Sequence, residues 1–158
     1  MTQAAMKAQK FVLPIKDKGL FREQCYINGQ WVDADSGKTV DVTNPATGEV
    51  IGTIPNMGAA ETKRAIEAAN AAWGAWRKKT AKERANLLRQ WFNLMMAAQE
   101  DLAIILTAEQ GKPLAEAKGE IAYGASYIEW FAEEAKRIYG DIIPPHQGDK
   151  RIVVTKEP

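Results

Sequence analysis

One cysteine and one histidine are all that this 158-residue chain holds of the two residue types most used for covalent catalysis and zinc binding. A single thiol excludes an internal disulfide framework and a multi-cysteine zinc site, and it favours a reducing compartment, the cytoplasm being the simplest. Charge of one sign is missing as well. With 21 basic against 20 acidic residues, the chain gives no electrostatic reason to expect nucleic acid as a partner. Long apolar runs are absent: Phe11-Val12-Leu13 is too short for a signal h-region and no stretch approaches bilayer length, so no membrane partner is expected. Residues 1–20 read as a flexible leader. Motif chemistry is equally sparse, with no G-x-G-x-x-G, no P-loop, no H-E-x-x-H and no G-x-S-x-G.

The remaining polar candidates read as ordinary surface or packing. Cys25 falls in a predicted strand and His146 in a loop bearing proline and glycine, so packing for one and solvation for the other outweigh a nucleophilic pair. Glu116 and Glu120 lie one turn apart on a helix face that should meet water, a common spacing that does not require an acid/base role. The short pairs Lys78-Lys79 and Lys136-Arg137 are too scattered for a polyanion track.

The chain does contain a clear change of pattern. From Gln24 to Pro55, short β-forming runs alternate with turns: Cys25-Tyr26-Ile27, the hairpin signal Asn28-Gly29, Trp31-Val32, Thr39 to Val42, the turn Asn44 to Gly48, then Glu49 to Ile54. A small antiparallel meander is expected there. From Gly58 to Tyr139 the periodicity is helical. Ile66, Ala69, Ala72 and Trp73 mark a first helix, and Thr80 with Glu83 forms a capping box ahead of Leu87, Leu88, Trp91, Phe92 and Met95. Leu102, Ile105 and Leu106 carry a third segment to Gly111, which suits a left-handed helix stop, and Pro113 suits the first turn of the next helix.

That last helix should present Ala117, Ile121, Gly124, Ile128, Phe131, Ala135 and Ile138 on one face until Gly140. Gly124 inside it predicts a close-packed backbone neighbour, because glycine there costs about 1 kcal/mol relative to alanine. Glu116, Lys118, Glu120, Glu129, Glu133, Lys136 and Arg137 should face water. Arg151 to Thr155 reads as a strand without an obvious partner in the chain. The aromatic load of Trp73, Trp76, Trp91, Trp130 and Phe131 exceeds what so small a meander can cover. Both features predict further protein, from missing sequence or another subunit.

Three strings carry a family resemblance: Tyr26-Ile27-Asn28-Gly29-Gln30-Trp31-Val32, Thr43 to Ile51 (TNPATGEVI), and Glu109 to Pro144, with Trp73-x-x-Trp76 and Ala81-Lys82-Glu83-Arg84 between them. In that order they resemble the amino-terminal part of the aldehyde dehydrogenase superfamily, over nearly everything from Leu20 to Pro158. Glu116 to Glu120, Glu129 to Arg137 and Tyr139-Gly140-Asp141 are most similar to its succinate-semialdehyde dehydrogenase branch.

The resemblance implies an α/β fold. Residues 21–138 would supply the opening strands and helices of a Rossmann-like cofactor-binding domain, and 139–158 the start of a β arm that joins subunits into a homo-oligomer, a tetramer or dimer. It implies oxidation of a small aldehyde, succinate semialdehyde, to a carboxylate with NAD or NADP as hydride acceptor. The family's nucleophilic cysteine, general base, oxyanion donor and main cofactor contacts follow the point where this sequence stops, so the chain alone is expected to be inactive and Cys25 does not inherit the nucleophile's role. Within the chain the resemblance assigns a substrate-tunnel wall to Gly119 and Tyr123, with Tyr127 one turn further, against core packing as the alternative. It also points to backbone carbonyls of Val42-Thr43 and the Glu109 carboxylate as a structural monovalent-cation site in some relatives. A non-catalytic fragment serving as an assembly or interaction module, or a dehydrogenase for another small aldehyde, are the other readings.

Overall fold

The computed structural model describes residues 12–157. Among the described residues, a 3-10 turn at Lys18–Leu20 is followed by six short strands and four α-helices: β1 (Cys25–Ile27), β2 (Gln30–Val32), β3 (Thr39–Thr43), β4 (Val50–Pro55), α1 (Ala59–Trp76), α2 (Ala81–Ala97), α3 (Gln99–Gln110), α4 (Leu114–Glu134), β5 (Asp141–Ile143) and β6 (Ile152–Val154). The strands form three separate antiparallel pairs, β1-β2, β3-β4 and β5-β6. Residues 25–55 are thus two independent hairpins rather than one continuous meander. The first turns on Asn28 and Gly29, both at positive φ, the backbone twist that a two-residue hairpin loop requires. In the second, a register shift between Val42 and Thr43 marks a bulge next to the Asn44–Gly48 turn.

Local capping chemistry defines the helix ends. Thr80 Oγ1 accepts the Glu83 N–H at 3.2 Å while the Glu83 carboxylate accepts the Thr80 N–H at 2.7 Å, closing the expected box at the start of α2. Thr80→Ala is expected to lower stability by about 1 kcal/mol, read as a lower urea midpoint; an unchanged midpoint would show the cap to be idle. At α1 the buried Glu61 carboxylate accepts the Gly58 N–H at 3.0 Å and the Asp35 N–H at 3.0 Å, which ties the helix start to the chain leaving β2. Asp35 in turn receives both guanidinium arms of Arg64, at 2.8 and 2.7 Å. Gly111 ends α3 at φ 81°, as the sequence indicates, and α4 begins directly after Pro113.

α4 packs against both α2 and α3, and its buried face is made of Ala117, Ala125 and Ala132. The expected seam needs three corrections. Phe131 and Ile138 are exposed, because the small alanines, not the bulky residues, let the three helices approach. Gly124 has nothing within 4 Å of where a Cβ would stand, so no close backbone neighbour explains it among the described residues. The helix also stops at Glu134, where the Lys136 and Arg137 N–H groups bond back only three residues, to Glu133 and Glu134, and the chain turns off toward β5.

Two expectations about the chain's flanks change as well. β6 has a partner in the chain after all: β5 pairs with it in the register Asp141↔Val154, Ile142↔Val153 and Ile143↔Ile152. Of the stretch expected as a flexible leader, residues 1–11 lie outside the described residues, while Leu13 and Ile15 are buried in a cluster with Ile51 of β4 and Ala108 of α3. Phe21, Val42, Ile104 and Ile105 pack against this cluster. As the aromatic content suggests, Trp73, Trp76, Trp91, Trp130 and Phe131 all remain exposed. Among the described residues, no helix is long and apolar enough to cross a membrane.

Candidate functional site: an exposed tyrosine ribbon on α4

Gly119, Tyr123 and Tyr127 follow one another at four-residue spacing, which sets them in a single ribbon along α4. All three are exposed, Tyr123 at 63% and Tyr127 at 50%, so the chain does not use them as core packing. The two rings meet edge to face with centroids 5.0 Å apart, and their hydroxyls share a hydrogen bond. That bond to Tyr123 raises the Tyr127 hydroxyl above its ordinary pKa. Ser126 Oγ donates to the Tyr123 carbonyl at 2.7 Å, bending its polarity into the helix rather than outward. Gly119 leaves the end of the ribbon open, with no atom within 4 Å of a Cβ position. The result is a surface with a bare backbone step at one end and two linked phenols at the other. It can guide a small molecule and offer hydroxyl hydrogen bonds, but it holds no nucleophile or base.

Beside Tyr127 lies an open groove of about 760 Å³ bordered by Arg89, Ser126, Trp130 and Phe131. Arg89 had no role in the sequence reading. From α2 its guanidinium reaches Glu129 through Nη1 and Glu133 through Nη2, each at 2.5 Å. The Arg89 bond, with Lys136 nearby, lowers the Glu133 carboxyl below its usual range. Glu129 and Glu133 are therefore half-buried cross-helix partners, not free solvent-facing groups. The available signal was their spacing of four, which presents two carboxylates to one neighbouring helix. Lys118 pairs with Glu100 and so joins α4 to α3, while Glu120 pairs with Lys112 of the short link between the two helices.

The other sequence candidates are placed as follows. Cys25 is a free, half-buried thiol in β1, and His146 is exposed in the loop between β5 and β6. Val42 packs toward the cluster that contains Ala108, the neighbour of Glu109, and Gly111 lies so close to Pro45 that a Cβ would stand 2.9 Å from its Cγ. The α3 terminus thus abuts the 44–48 turn, and partial burial pushes the Glu109 carboxyl up. Among the described residues no group of three or more His, Cys, Asp and Glu could hold a metal ion.

Comparison with known proteins places the chain in a family. The profile of the Aldehyde dehydrogenase family matches residues 31–158, and the chain belongs to that family. It is 69% identical over 146 residues to a glutarate-semialdehyde dehydrogenase of Pseudomonas putida, covering 92% of this chain and 30% of the relative. Over 146 residues it is 64% identical to an NADP(+) succinate-semialdehyde dehydrogenase of Escherichia coli, with the same coverage of 92% and 30%. The solved succinate-semialdehyde dehydrogenase of Burkholderia pseudomallei superposes with a TM-score of 0.90 at 66% identity, covering 92% of this chain and 30% of that one. The chain spans about 30% of the length of the curated relatives it matches.

Proposed function

We propose that the chain is the amino-terminal portion of an NAD(P)-dependent dehydrogenase for a short aldehyde that ends in a carboxylate, succinate semialdehyde first. The identity of 64–69% with two semialdehyde dehydrogenases carries this reading. Succinate and glutarate semialdehyde differ by one methylene, which an apolar pocket discriminates by only about 1–3 kcal/mol, so small pocket changes can exchange one for the other. The nicotinamide cofactor supplies the hydride acceptor, and residues beyond this chain supply the thiolate and the base.

This chain's own contribution is positional. Gly119, Tyr123 and Tyr127 form one wall of the substrate passage, with the phenol pair offering hydrogen bonds and the glycine leaving room. The β5-β6 hairpin begins the arm through which copies assemble, and the free Cys25 thiol agrees with a reducing, cytoplasmic setting.

Steady-state kinetics on the whole protein tests the substrate. Succinate or glutarate semialdehyde is expected to exceed butanal in kcat/KM by at least about tenfold, the effect of one well-paired charged group. Preference for butanal would overturn the reading. Gly119→Ala tests the wall by two opposed effects. It is expected to stabilise α4 by roughly 0.5–1 kcal/mol, since the added methyl meets nothing, and at the same time to raise KM. Greater stability with unchanged KM would remove Gly119 from the passage.

A further inference from the structure

Residues 13–20 lie as a strap across two parts of the fold. Leu13 and Ile15 point into the cluster between α3 and the β3-β4 hairpin, while Val12 and Pro14 alternate outward, as an extended segment dictates. One side chain receives the backbone that follows. Asp101, in the first turn of α3 and only 6% exposed, accepts the Lys16 N–H at 2.9 Å through Oδ1 and the Asp17 N–H at 2.8 Å through Oδ2. Beyond it the strap closes on itself: Lys18 Nζ donates to the Leu13 carbonyl at 2.6 Å, and the Asp17 carboxylate caps Gly19 N–H at 2.8 Å. Further along, the Glu23 carboxylate accepts the Thr53 N–H of β4 at 3.0 Å.

We propose that Asp101 is the latch of this strap: its carboxylate, by taking two consecutive backbone N–H groups, seats Leu13 and Ile15 and so clamps α3 to the β3-β4 hairpin. The geometry favours a latch over a general stabiliser. A carboxylate offers two acceptor oxygens in one plane, the fork that two successive amides need, and Asp101 uses one oxygen for each. The apolar half of the seat is small, two side chains, so its hold depends on the polar half. Release would expose Ile51, Val42, Ile104 and Ile105 as a shallow apolar groove and leave the α2–α4 layer intact, because that layer is held by its own alanine face and by Arg89.

Amide exchange and limited trypsinolysis of the full chain test the proposal. In Asp101→Asn, exchange at Lys16 and Asp17 and cleavage after the exposed Lys16 and Lys18 are each expected to rise by about tenfold or more, since an amide oxygen can replace only one of the two acceptors. Exchange in α2 and α4 should stay as in the parent. Glu100→Gln removes the same charge from the same turn of α3 without touching the strap, and should leave strap exchange unchanged. Three results would overturn the latch: unchanged exchange at Lys16 and Asp17 in Asp101→Asn, equal acceleration in Glu100→Gln, or uniform acceleration through α2 and α4.

Discussion

Ala125→Leu is expected to destabilise the chain by about 1–3 kcal/mol, and Gly124→Ala, one residue away, to stabilise it by about 0.5–1 kcal/mol. The opposite signs follow from the rotation of α4. Ala125 is 0% exposed and belongs to the face formed with Ala117 and Ala132, where α4 meets α2 and α3. Three added carbons there have no void to enter, so they force the helices apart or twist the side chain off its rotamer. Gly124 points the other way, with open space where its Cβ would be, and alanine there reduces only the entropy lost on folding. Urea denaturation at constant m-value reads both. A neutral Ala125→Leu would mean that α4 is rotated or loosely packed, and a destabilising Gly124→Ala in the whole protein would place covering protein against that position.

That pair also shows which features were legible in the sequence. Features decided by one or two residues could be read directly: the Thr80/Glu83 box, the Gly111 stop and the Asn28-Gly29 hairpin each rest on chemistry that few other residues perform. The rotation of α4 could not be read, because two apolar stripes compete on it. Periodicity favoured the bulkier stripe through Phe131 and Ile138, yet close helix packing selects small side chains, and the bulky residues remain on a surface that this portion of the protein does not cover. The same competition hid Arg89, whose partners looked like a solvated acidic face until a neighbouring helix was placed beside them.

β5 was missed for another reason: three residues between Gly140 and a Pro-Pro pair carry too little pattern to stand out. The Asp101 latch lies beyond sequence reading altogether, since its bonds go to backbone amides more than eighty positions away, where no side-chain pattern records them. The tyrosine ribbon came from family likeness rather than periodicity. The structure leaves all three of its residues exposed.

Gly140→Ala is expected to dismantle the β5-β6 hairpin and, on the proposal that copies assemble through this arm, to lower the assembly of the whole protein by one step. The reason is space. Gly140 is not among the residues at positive φ, so its backbone would admit a side chain, but a Cβ there would fall on the Val154 carbonyl oxygen and stand 3.3 Å from the Val154 carbonyl carbon. Both are backbone atoms, which no rotamer change can move, so β6 must shift. The hairpin has little to resist with: three residue pairs join its strands, and a lone two-stranded ribbon is marginal in water. Its outer residues Ile142 and Val153 are 83% and 63% exposed, an apolar surface whose burial against another copy would supply the missing stability. Light scattering on the whole protein, with the exposed loop variant Asp149→Ala as control, reads the outcome. An assembly unchanged by Gly140→Ala would show that copies are joined elsewhere, and loss of assembly in Asp149→Ala as well would show that the loop, not the glycine's close approach, governs the arm.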